Sequence, residues 1–175
     1  MPMTIDSKNI NGDPGLLLID RANLELRRGR AIELRSTKAS YVVAAAEILQ
    51  QTLLERLRAT GRRPSLALTP QRAAALGVRH EPDTVAIVPV ANDWSAADLR
   101  ALAGAASLVP RVEAVCDRPQ TADVSVMESA LRFMKSGRQL PALIWIEHDA
   151  GEDASILSLD MSAIVAEAAF ISKHR

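Results

Sequence analysis

Along this chain, apolar residues at helical spacing alternate with short runs at strand spacing, and Gly or Pro stands at many of the joins. Leu17, Ile19, Leu24 and Leu26, set among charges between Leu16 and Arg28, predict an amphipathic helix, and Gly29 supplies the left-handed residue that commonly ends one. Ala31 to Leu34 and Tyr41 to Ala45 read as strands around the polar turn Arg35-Ser36-Thr37-Lys38. The second run is also compatible with a helix start, because Ala44 to Glu47 favours helix. Ile48 to Ala59 is helical, with Leu49, Leu53, Leu54 and Leu57 on one face, and Gly61 closes it.

Ser65 to Leu68 is a short buried strand. Thr69-Pro70 then forms the N-cap and first residue of a helix to Leu76-Gly77. Thr84 to Val90 is β-rich, and Pro89 places it at an edge or a strand end. Ser95 and Asp98 are spaced as a capping box for a helix reaching Ala106. Arg111 to Cys116 alternates as a half-buried strand does, and Thr121 caps a helix ending near Gly137. Ala142 to Glu147 and Ser155 to Leu159 read as a hairpin across an acidic loop, after which Asp160 caps a last helix through Phe170. Helices and strands joined by short loops predict one layered α/β or α+β domain over residues 16–175, preceded by a loose polar tail over 1–15.

Composition narrows the class. The chain has 175 residues and is 48% hydrophobic, enough for a single domain with a substantial core. Lys+Arg and Asp+Glu number 21 each, so no net field recruits nucleic acid or an anionic membrane. No apolar run approaches the roughly 20 residues that cross a bilayer. The polar start lacks the order of a signal peptide, and the lone Cys116 excludes an internal disulfide; both predict a reduced, cytoplasmic protein.

Phosphate loops and the Gly-x-Ser-x-Gly nucleophile motif are absent. The basic turn with Arg35 and Lys38, and the helix start with Thr69 and Arg72, are candidate phosphate sites, the second because it offers backbone N–H groups beside a guanidinium. Glu147-His148-Asp149 with Glu152 and Asp153 gathers hard oxygens beside one imidazole, a donor set suited to Mg²⁺ or Mn²⁺. Adjacent strand residues face opposite ways, however, so Glu147 and His148 would not reach one ion, and a polar loop is the expectation. No metal site and no cofactor are predicted.

Longer segments carry a resemblance. Arg21 to Arg30, Ala44-Ala45-Ala46-Glu47, Ala67 to Gly77 and Ser95 to Ala103 stand in order ahead of the run from Val126 to Gly137 and Pro141 to Glu147. Together they resemble 3,4-dihydroxy-2-butanone 4-phosphate (DHBP) synthase, and in particular the synthase-like N-terminal domain of some bacterial GTP cyclohydrolase II proteins. The resemblance implies a mixed sheet flanked by helices and a homodimer. In the family a His-Thr-Glu motif opens a helix, and an acidic residue sits six positions after a proline. Here Glu128 and Glu147 match the two acids, whereas the histidine and threonine fall on Val126 and Met127.

The family's acidic, Mg²⁺-binding run after the first strand is replaced by Arg35-Ser36-Thr37-Lys38-Ala39-Ser40, and the cysteine zinc motif of the cyclohydrolase is missing. With Val126 at the histidine's place, proton transfer from that position is impossible. The expectation is therefore a catalytically silent accessory or regulatory protein, linked to riboflavin or other GTP-derived metabolism, with a cyclohydrolase-type enzyme as partner. The alternative is an enzyme or sensor with rebuilt chemistry, in which Arg35, Lys38, Thr69 and Arg72 hold a phosphorylated small molecule and Glu128 or Glu147 acts.

Overall fold

The computed structural model of the chain describes residues 13–104, 121–149, 151 and 153–173. The tail over residues 1–12, the strand expected from Arg111 to Cys116, and Cys116 itself lie outside them. Helix α1 (Pro14–Arg27) begins inside the expected tail, because the Asp13 side chain accepts from the Gly15 N–H and Pro14 is set in the first turn. Strands β1 (Ile32–Arg35) and β2 (Ser40–Ala45) follow, and a 3₁₀ turn (Ala46–Ile48) leads to α2 (Gln51–Ala59). Strand β3 (Ser65–Leu68), α3 (Pro70–Ala75), β4 (Ala86–Pro89) and α4 (Ala96–Ala103) come next. The chain continues with α5 (Thr121–Ser136), β5 (Ala142–His148), β6 (Leu157–Asp160) and α6 (Met161–Lys173).

Tyr41 to Ala45 is thus strand, and the helix expected from Ile48 starts three residues later. Burial explains the first outcome. All six residues of β2 are buried, and a strand with neighbours on both sides satisfies its backbone there at no cost in propensity. The capping box forms as spaced: Ser95 Oγ accepts from the Asp98 N–H, and the Asp98 carboxylate accepts from the Ser95 N–H at 2.7 Å.

The strands make one six-stranded mixed sheet in the order β4-β3-β5-β2-β1-β6. Pro89 ends β4 at its edge, where a missing N–H is tolerated. β5 pairs antiparallel with both β2 and β3, β1 antiparallel with β2, and β6 parallel with β1. The expected hairpin between β5 and β6 is therefore not formed: two strands separate them, and they run in the same direction. A loop-length cue cannot distinguish a hairpin from a crossover, because strand order is set by non-local pairing.

Alternate residues enter two cores. Ile32, Leu34, Tyr41, Val43, Leu143 and Trp145 pack on the first face with residues of α1, α5 and α6. Val42, Ala44, Leu66, Leu68, Ile144 and Ile146 pack on the second with residues of α2, α3 and α4. Leu143, fully buried in the first core, tests this arrangement. Leu143→Ala should cost about 2–5 kcal/mol in urea unfolding. Leu140→Ala, at a position 37% exposed, should change stability by less than about 1 kcal/mol.

Candidate functional site

The residues singled out from the sequence do not converge. Glu128 sits midway along α5 and lines a small cleft with Thr69, Pro70, Asp83, Lys135 and Pro141. Glu147 is exposed near the far end of β5, on the same face as Leu143 and Trp145. From Pro141 to Glu147 the strand rises about 20 Å at its usual pitch. The two acids therefore serve no common centre.

Thr69 and Arg72 also part company. Thr69 Oγ1 caps α3 by accepting from the Arg72 N–H, and it borders the Glu128 cleft. The Arg72 guanidinium turns the other way and donates to the carbonyls of Leu102 at 2.7 Å and Ala101 at 3.0 Å, satisfying the C-terminus of α4. That commitment removes Arg72 as a phosphate ligand. Nothing in the local sequence signals it, because the acceptors lie 29 and 30 residues away.

Arg35 and Lys38 flank the turn between β1 and β2, which Ser36 closes by accepting from the N–H groups of Lys38 and Ala39. Lys38 is exposed, whereas Arg35 folds back to pair with Glu33 at 2.9 Å. The basic turn is therefore half neutralised by its own strand.

Glu33 is the residue that the sequence reading missed. It stands on β1 between Ile32 and Leu34, which enter the first core, so its carboxylate faces the second side and is 4% exposed. Oε1 accepts from the Gly151 N–H at 3.2 Å and lies 3.6 Å from His148 Nε2, while Oε2 accepts from Arg35. Ser158, opposite Glu33 on β6, donates as well. Burial works against the ionised form, but the hydrogen bonds from Ser158, Gly151 and Arg35, with the charge of Arg35, outweigh it and hold the carboxyl below its ordinary value. The available signal was a lone acid at an alternating position of a strand.

His148 thus faces Glu33 on the second side, and Glu147 faces the first, as strand alternation requires. Asp153 is exposed; hydrogen bonds from the Ser155 hydroxyl at 2.6 Å and its N–H at 2.9 Å hold the carboxyl below its usual range. Among the described residues, no group of three His, Cys, Asp or Glu side chains is arranged to hold a metal ion.

The Glu33 network generates a pH signature. A carboxyl whose folded pKa is depressed contributes stability fully above its unfolded value near 4.5, and loses that contribution as pH falls through the folded pKa. Glu33→Gln should therefore cost about 1–3 kcal/mol at pH 7. The difference between the two proteins should shrink in urea unfolding carried out progressively below pH 4.5.

Neither a family model nor a curated relative matches the sequence. Solved structures do. A 3,4-dihydroxy-2-butanone 4-phosphate synthase of Candida albicans superposes with a TM-score of 0.62 at 14% identity, over 86% of this chain and 96% of that one. A cation-free form of the synthase gives 0.61 at 12% identity, over 87% and 97%. A two-domain synthase, RibBX from A. baumannii, gives 0.55 at 12% identity, over 88% of this chain and 53% of the other. With its mixed six-stranded sheet and flanking helices, the chain has the fold of DHBP synthase.

Proposed function

We propose that this chain is a catalytically silent protein built on the DHBP synthase fold, acting as an accessory or regulatory component of riboflavin or other GTP-derived metabolism. One observation carries the reading. Val126 and Met127, which stand at the motif's histidine and threonine, are 8% and 0% exposed and belong to the same hydrophobic core as Tyr41 and Trp145. Tyr41 and Trp145 meet edge to face, their ring centroids 5.6 Å apart. Where proton transfer would need a polar, accessible group, this chain has apolar packing.

The remaining acids support the same conclusion. Glu128, on α5, lies in the cleft beside Pro141 and Glu147 lies near the other end of β5, and the β1–β2 turn carries Arg35 and Lys38 in place of carboxylates. The donor set for a divalent ion is not assembled among the described residues. A cation at the β1–β2 turn would meet the Lys38 ammonium and an Arg35 guanidinium that already occupies the Glu33 carboxylate, so the residues present do not fit Mg²⁺.

Assembly as a homodimer, and association with a GTP cyclohydrolase II-type enzyme, belong to the same proposal. A domain with this fold alongside another has a structural parallel in the two-domain synthase, of which this chain spans about half.

Ribulose 5-phosphate with Mg²⁺ is the direct test. Formate release should stay at the level of the buffer control; release that is abolished by Glu147→Gln would overturn the reading. In sedimentation velocity the purified protein should run as a dimer, and a pure monomer at micromolar concentration would remove the dimer from the proposal.

A further inference from the structure

The second face of the sheet is roofed unevenly. Strands β5 and β6 are parallel, yet only eight residues, 149–156, join them, with no helix among those described. Parallel strands are ordinarily joined by about a dozen or more residues, usually including a helix that covers the strands crossed. Here the connection is drawn close to the sheet instead, because Glu33 accepts from the Gly151 N–H and Arg62 holds Asp149 at 2.9 Å. A cleft of about 870 Å³ remains beside it.

The walls of this cleft differ in chemistry. Its floor is apolar, from Val42 and Ile146 of the sheet, Ile156 just before β6, and Leu53 and Leu57 of α2. Three arginines line it, Arg21 of α1, Arg30 after it and Arg56 of α2. Arg30 is paired with Glu25 at 3.2 Å. Arg21 and Arg56 are exposed and have no hydrogen-bond or ion-pair partner among the described residues. Arg35, Arg58, Arg62 and Arg72, by comparison, are engaged by acceptors of the protein itself, whereas the side chains of Arg79, Arg132 and Arg138, outside this cleft, have no such partner among the described residues. His148, Asp153, Ser155 and Ser158 line it as well. Asp153 Oδ1 is engaged by Ser155, and Oδ2 accepts from no donor among the described residues.

We infer that this cleft binds a small organic anion, a phosphate monoester carrying a planar or apolar body, with Arg21 and Arg56 on the phosphate and the body on the floor of Val42, Ile146 and Ile156. The volume suits a ligand rather than a bare ion, since small-molecule sites typically span about 300–1,000 Å³. Guanidinium groups suit phosphate because their planar N–H fork matches two of its oxygens. Asp153 Oδ2 then accepts an O–H or N–H from the far end of the ligand. The floor of this site lies on the opposite face of the sheet from Glu147, with Arg21 contributed by α1 of the first-face layer, and the site is separate from the Glu128 cleft. It uses none of the phosphate ligands expected from the sequence.

Titration calorimetry of the full chain at low ionic strength, with phenyl phosphate and with inorganic phosphate, tests the assignment. Phenyl phosphate should bind one to one, about tenfold or more tighter than inorganic phosphate, because only the former buries apolar surface on the floor. Arg21→Gln and Arg56→Gln should each weaken it about tenfold, and Arg79→Gln, at an exposed position outside the cleft, should not. Both cleft arginines are exposed, so circular dichroism should show native folding in each variant. No binding of phenyl phosphate at millimolar concentration would overturn the inference. So would equal affinity for the two probes, or undiminished affinity in the double variant. None of these outcomes bears on formate release, so this inference and the proposed function fail separately.

Discussion

Burial of the sheet on both faces is the constraint from which most of this structure follows. In β2 and β5 every second side chain enters one core and the intervening ones enter the other, so a one-residue slip would exchange the two sets. Packing therefore holds the register, and a polar side chain within the strands is costly unless its partners are supplied. Glu33 is the case that shows it. Its carboxylate is tolerated because Arg35, Ser158 and the Gly151 N–H satisfy it, and His148 stands beside it.

That satisfaction has a topological consequence. The connection between β5 and β6 crosses two strands with no helix among its described residues, so its backbone needs anchors that a helix would have made internally. Glu33 supplies one at Gly151, and Arg62 supplies another through Asp149 and the Glu147 carbonyl. The same acid that stabilises the crossover thus lies beside the cleft, 3.6 Å from the His148 ring that lines it.

On the first face the logic is reversed. Val126, Met127, Tyr41 and Trp145 form part of a continuous apolar core, in which Trp145 Nε1 finds no acceptor among the described residues. A synthase fold is compatible with this packing because a scaffold depends on volume and alternation rather than on particular polar groups. Activity depends on particular polar groups, so a shared fold does not by itself carry a shared chemistry.

Much of the architecture was readable in the residues themselves. Alternation in Leu143 to Ile146, the capping box at Ser95 and Asp98, and the Thr69-Pro70 helix start are local patterns, and local physics is enough to express them. The opposite orientations of Glu147 and His148 followed from the same strand periodicity. What the sequence could not convey was long-range: that β5 and β6 are parallel rather than a hairpin, and that Arg72 is held by α4. Nor could it convey that Glu33 collects donors from β6 and from the loop before it. Each depends on which distant segments become neighbours, and that choice is made by the joint burial of two cores, not by any short stretch of the chain.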